Sequence, residues 1–218
     1  MKAGGRQCTV RAPLGGCSLT RLVVAPPMEA FLISTGIVAL AEIGDKTQLL
    51  ALVLAARFRK PLPIVLGILV ATLTNHALAG AAGAWISALV GPTAMRWILG
   101  VSFIAMAAWT LIPDKLDADD ERAGPAPRFG VFGTTFIAFF LLEMGDKTQI
   151  ATVALAAKYA ALGAVVLGTT LGMMLANVPA VLLGEVAARK LPMQVVHRIA
   201  AAIFLALGVT VLLGYGSV

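Results

Sequence analysis

The stretch Glu42-Ile43-Gly44-Asp45-Lys46-Thr47-Gln48 returns as Glu143-Met144-Gly145-Asp146-Lys147-Thr148-Gln149, with a single residue changed. Both copies lie inside long apolar runs. One charged side chain at the centre of a bilayer costs about 2.5 kcal/mol or more. Six of them in two matched sets are understandable only if they face one another around something polar.

The likeness continues outward from the motifs. Leu54-Ala55-Ala56-Arg57-Phe58 corresponds to Leu155-Ala156-Ala157-Lys158-Tyr159, and Leu66-Gly67 to Leu167-Gly168, all at a spacing of 101 positions. Beyond this the match fades, and pairing Asn75 with Asn177 needs a one-residue insertion. The chain of 218 residues is 59% hydrophobic and 13% charged, whereas soluble domains carry about a quarter charged residues. Apolar runs at 29–55, 62–90, 93–112, 130–157, 160–187 and 194–214 each approach the roughly 20 residues of a membrane span. The expected fold is an all-α integral membrane protein of six transmembrane helices.

The acidic segment from Asp114 to Glu121 divides the spans into equal halves. Residues 28–112 form a first three-helix repeat, 113–129 a cytoplasmic linker and 130–218 a second repeat. An odd number of spans inverts the second repeat relative to the first, and the basic residues agree. Arg57, Arg59 and Lys60 follow the first span but only Lys158 follows the fourth; Arg96 follows the second, while Arg189, Lys190 and Arg198 follow the fifth. Because Lys and Arg collect on the cytoplasmic side, both termini are expected outside the cytoplasm. Inverted repeats are a common plan of secondary transporters, with the substrate site near the midplane.

Residues 1–27 contain Lys2, Arg6, Arg11 and Arg21, no acid and no apolar core of signal-peptide length. They read as a disordered basic extension or as the product of an upstream start codon, with Met28 as the working start. The net charge of +6 does not indicate nucleic acid, since no basic patch is interleaved with aromatics. Cys8 and Cys17 offer no metal-ligand spacing.

If the spans are continuous helices, Glu42 and Asp45 share a face, with Lys46 on the other flank of Glu42; Glu143, Asp146 and Lys147 repeat the geometry. Each glutamate lies roughly 20 Å along its span, so inversion brings the two sets to similar depth. Four converging carboxylates make a hard oxygen site suited to Ca²⁺, Mg²⁺ or Mn²⁺. With two lysines the set sums to −2, which one divalent cation neutralises. Without the cation, repulsion and lost hydration favour protonation, so protons compete with metal and cation/proton exchange becomes feasible.

A single Glu/Lys pair can be purely structural; two copies at inverted positions argue otherwise. Lys46 and Lys147 either pair with the acids or snorkel, with pairing preferred. Gly44 and Gly145 read as close-packing positions rather than an unwound loop. Thr47, Gln48, Thr148 and Gln149 are neutral oxygen ligands or interhelical hydrogen-bond partners. Asn75 and Asn177 line a pathway or serve as packing glue. His76 reads as a satisfied buried histidine, and Glu185 as a partner of Arg189.

The twin Glu-x-Gly-Asp-Lys-Thr motifs, one opening each three-span half, resemble the Gdt-type divalent cation/proton exchanger family (uncharacterised protein family 0016). The resemblance covers residues 28–214; the extension before Met28 departs from it. It implies transport of Mn²⁺ or Ca²⁺ in exchange for protons, with manganese export in bacterial members. By match, Glu42, Asp45, Glu143 and Asp146 take the role of cation ligands, and Thr47, Gln48, Thr148 and Gln149 adjoin them. Compact length and short loops resemble bacterial members and imply the inner membrane. The expected partners are a divalent cation, protons and the bilayer, with no prosthetic group; the oligomeric state stays open, a homodimer included. Two rivals are weighed. An exporter of small amino acids or other organic cations needs a carboxylate partner, and the spans hold no spare arginine. An intramembrane acid–base enzyme needs two differently tuned acids, and the motifs are near copies, so no catalytic residue is assigned.

Overall fold

The computed structural model describes residues 27–112, 129–183 and 193–214. The basic extension, nearly all of the acidic linker, Glu185, Arg189 and Lys190 lie outside the described residues. Those described form eight helices and no strand. They are α1 (Pro27–Glu42), α2 (Lys46–Phe58), α3 (Pro61–Leu89), α4 (Pro92–Thr110), α5 (Gly130–Glu143), α6 (Lys147–Tyr159), α7 (Leu162–Leu183) and α8 (Met193–Leu212).

Four of these, α3, α4, α7 and α8, are long and apolar enough to cross a membrane. The runs at 29–55 and 130–157 differ from expectation: each is two helices, interrupted inside its motif. The interruption is made by the glycines. Gly44 has φ +83° and Gly145 φ +81°, a left-handed conformation that costs L-residues with a Cβ about 1–2 kcal/mol. Both glycines mark an unwound turn, the reading that ranks second on sequence alone, and a Cβ added at Gly145 would meet nothing within 4 Å.

Proline sets two helix starts, Pro61 and Pro92 standing in the first turns of α3 and α4, where the missing N–H is harmless. Arg59 and Ala160 close α2 and α6 in left-handed conformations, with φ 51° and 49°. These caps occupy matching places in the two halves.

Packing across the halves is also matched. α1 packs on α7 and α5 packs on α3, while α4 packs on α8. The close approaches use corresponding residues. A Cβ on Gly67 of α3 would lie 2.9 Å from the Phe132 carbonyl oxygen of α5, and one on Gly168 of α7 would lie 2.5 Å from the Phe31 carbonyl oxygen of α1. Only glycine lets backbones approach so closely.

The distribution of polarity is that of a protein in lipid. Trp85, Trp97, Leu141, Leu167 and Leu205 are exposed, whereas Glu42, Asp45, Glu143, Asp146 and Lys147 are buried. Water-soluble folds leave such charges outside. Together with the four apolar helices, this makes the chain a multi-pass membrane protein.

Candidate metal centre

The two motif turns are nearly superimposable in backbone. Asp45, at the N-cap of α2, has φ −77° and ψ 166°; Asp146, at the N-cap of α6, has φ −78° and ψ 166°. Each turn is tied by its glutamine: Gly44 N–H donates to Gln48 Oε1 at 2.9 Å, and Gly145 N–H to Gln149 Oε1 at 2.7 Å. The glutamine oxygens therefore hold the unwound backbone. Gln48 also donates through Nε2 to the Ala176 carbonyl of α7 at 3.0 Å, joining its turn to the opposite half.

Neither aspartate caps its own helix with its carboxylate. Instead the acids are exchanged between halves. Lys46 Nζ lies 3.1 Å from Asp146 Oδ1, and Lys147 pairs with Asp45. The preference for pairing over snorkelling holds, and the partners come from the other motif. The helix N-termini add partial positive charge beside both aspartates.

The glutamates close the opposite edge of each turn. Thr47 donates to Glu42 Oε2 at 2.5 Å, and Thr148 donates to Glu143 Oε1. Thr148 also lies 3.5 Å from Asp146 Oδ2. The threonines thus orient carboxylates rather than pointing at open space. Glu42 Oε1 and Glu143 Oε2 are buried with no hydrogen-bond partner among the described residues.

Oxygen atoms of Glu42, Asp45 and Asp146 lie within 4.8 Å of one another. Donors facing each other across one divalent ion at roughly 2.0–2.6 Å stand roughly 4–5 Å apart, so the cluster matches an ion's coordination sphere. Glu143 stands outside this trio in the present state, although it is buried beside it. The fourth expected acid is therefore near the cluster and not within it.

Asn75 of α3 donates to the Phe140 carbonyl of α5 at 3.0 Å, while Asn177 donates to Met173 on its own helix at 3.1 Å. The first joins helices, as the packing reading expected. Both side-chain oxygens have no hydrogen-bond partner among the described residues. His76 overturns its reading as a satisfied histidine: it is fully buried and neither ring nitrogen has a hydrogen-bond partner among the described residues. Its Nε2 lies 3.7 Å from Glu143 Oε1. His197 was not legible in the sequence as a site neighbour. From α8 its Nε2 meets the Ile43 carbonyl oxygen at 2.8 Å, an atom freed by the helix break; only that break could have signalled it.

Three comparisons bear on this arrangement. The chain is 52% identical over 179 residues to a Vibrio cholerae protein described as "Putative manganese exporter", an alignment covering 82% of this chain and 88% of that one. It is 29% identical over 193 residues to GDT1-like protein sll0615 of Synechocystis, covering 81% and 93%. It is 28% identical over 206 residues to GDT1-like protein 3 of Oryza sativa subsp. indica, covering 84% and 73%. No solved structure matches the chain. The profile of the family described as "Divalent cation/proton antiporter GDT1" matches residues 30–118 and 131–217, each block carrying one turn of the acidic cluster, and the chain belongs to that family.

Proposed function

We propose that this protein exports Mn²⁺ from the cytoplasm in exchange for protons, through one carboxylate site shared by its two halves. The observation that carries the reading is the exchange of partners: oxygens of Glu42, Asp45 and Asp146 converge within 4.8 Å, and each aspartate pairs with the lysine of the other half. A structural ion pair needs one acid and one base. Three acids at this separation need a further cation or bound protons.

Glu42, Asp45, Glu143 and Asp146 are the ligands in this reading, with Ca²⁺ as the other ion that such oxygens accept. Lys46 and Lys147 neutralise the aspartates while the site lacks its ion. An arriving cation displaces the ammonium groups; on release, protons or lysines take its place. Protons compete because ligands must be deprotonated to bind metal. Thr47, Thr148, Gln48 and Gln149 fix the turns, and the oxygens of Asn75 and Asn177 border the route. The choice of manganese leans on the description of the 52% identical Vibrio protein.

The architecture we propose is two inverted three-helix repeats, 28–112 and 130–218, joined by a cytoplasmic linker at 113–129. In it α1 with α2, and α5 with α6, each cross the membrane as one broken span, giving six. The mirrored pairs α1/α7 and α5/α3 support this, as does the swap of basic residues between loops. Broken spans meeting at a site are a recurrent transporter device. Both termini then face away from the cytoplasm of a bacterial inner membrane.

The test is Mn²⁺, Ca²⁺ and Mg²⁺ uptake into inverted vesicles under an imposed pH gradient. Mn²⁺ uptake that needs the gradient and disappears in Asp45→Asn and in Asp146→Asn is expected. Uptake indifferent to both substitutions contradicts the reading.

A further inference from the structure

The proposed cage is built of oxygen, and one imidazole stands beside its Glu143. His76 is completely buried in α3, and both its ring nitrogens have no hydrogen-bond partner among the described residues. Buried polar groups are nearly always satisfied, and an orphaned one is destabilising by about 1–3 kcal/mol. At 3.7 Å from Glu143 Oε1, Nε2 is too far for a hydrogen bond. It is nevertheless well placed for a shared ion: donors at roughly 2.0–2.6 Å from one cation stand roughly 2.8–3.7 Å apart across a right angle. The second oxygen of Glu143 also has no hydrogen-bond partner among the described residues.

The first motif has no histidine at the equivalent position, and His197 meets its backbone at Ile43. His76 follows Asn75 in α3, and the residue that follows Asn177 in α7 is Val178. The nitrogen is therefore confined to the Glu143 side of an otherwise duplicated arrangement.

We infer that His76 is a ligand of the transported ion, giving it an imidazole nitrogen when it engages Glu143, and that this nitrogen is the selectivity element of the site. Ca²⁺ and Mg²⁺ keep to oxygen donors. Mn²⁺ also suits oxygen donors and stands lowest in the first-row series, but as a transition ion it accepts an imidazole nitrogen more readily than Ca²⁺ or Mg²⁺ does. An all-oxygen cage accepts Ca²⁺ and Mn²⁺ alike; one imidazole in the sphere favours Mn²⁺. This inference rests on the carboxylate site proposed above and adds to it the donor that separates the two ions.

The purified full-length protein loaded with Mn²⁺ alone tests it by pulsed electron paramagnetic resonance, which detects nitrogen bound to manganese. The chain has two histidines, so assignment is simple. Nitrogen modulation is expected in the wild type and in His197→Ala, and is lost in His76→Gln. In vesicles, His76→Gln is expected to reduce the preference for Mn²⁺ over competing Ca²⁺ by about tenfold, the effect of one modest ligand bond. Bound Mn²⁺ without nitrogen modulation in the wild type overturns the inference whether or not the variant folds, and leaves the carboxylate site standing. Equal loss of Mn²⁺ and Ca²⁺ transport in His76→Gln also overturns it, since a packing residue would behave so. Wild-type protein that binds no Mn²⁺ overturns the transport reading itself, and the inference with it.

Discussion

The two copies of the motif share a backbone and differ in what surrounds it. In the first, the turn at Ile43-Gly44 is half-buried and held by His197, while the Lys46 side chain keeps 24% of its surface exposed. In the second, Met144 is 54% exposed, while Lys147 is sealed at 1%. Arg96, the fifth residue of α4 as His197 is of α8, lies beside Gly214. Among the described residues, a histidine nitrogen approaches the carboxylate of the second glutamate, at 3.7 Å. A duplicated sequence has thus produced matched acidic turns in unmatched settings, the asymmetry that the proposed exchanger, open to one side at a time, would use. Asymmetry of access sits on symmetry of chemistry.

The largest expected effect removes the symmetry of the ligands. Asp45→Asn and Asp146→Asn each reduce Mn²⁺ uptake more than a hundredfold, and the double variant is no worse than either. Residues that act as a unit are strongly non-additive. A double variant much worse than each single one would indicate two independent sites.

Next come the lysines. Removing one partner of a buried pair leaves an uncompensated charge and costs about 3–5 kcal/mol. Lys147→Met breaks a pair sealed from solvent on both sides, whereas Lys46→Met acts at a partly solvated pair. The first is expected to lower the unfolding temperature in detergent clearly more than the second. Equal losses would remove the distinction between sealed and open lysines.

Proton competition should act through both copies. As pH falls on the side from which Mn²⁺ binds, its apparent KM rises, because the carboxylates that must be ionised to hold the metal become protonated. An apparent KM that stays flat as the pH is lowered from about 8 to about 6 would separate metal binding from protonation.

Smaller effects probe the turns. Met144→Cys should be labelled by a water-soluble maleimide much faster than Ile43→Cys in membranes lacking Mn²⁺. His197→Ala should narrow the gap by releasing the Ile43 carbonyl, at a stability cost of about 1 kcal/mol. Labelling at equal rates would show that the two turns are equally covered.

Much of this was legible in the residues. The buried acids, their duplication and the all-helical membrane character follow from seven letters repeated inside apolar runs. The preference for paired lysines also held. The break at Gly44 and Gly145 was not legible, since glycine inside an apolar run equally marks helix packing, the role that Gly67 and Gly168 do fill. Reading each span as unbroken placed Lys46 on the flank of Glu42. The unwound turn instead carries it to Asp146 across the interface, and no local periodicity encodes a contact between positions 46 and 146. His76 and His197 were hidden for the same reason: their partners are 67 and 154 positions away.

The central claim is that the two acidic turns form one shared site, and counting bound metal tests it most directly. Mn²⁺ binding to purified protein by equilibrium dialysis is predicted to saturate at one ion per chain, and to vanish in Asp45→Asn and in Asp146→Asn alike. Two ions per chain in the wild type, with one surviving in each single variant, would contradict it.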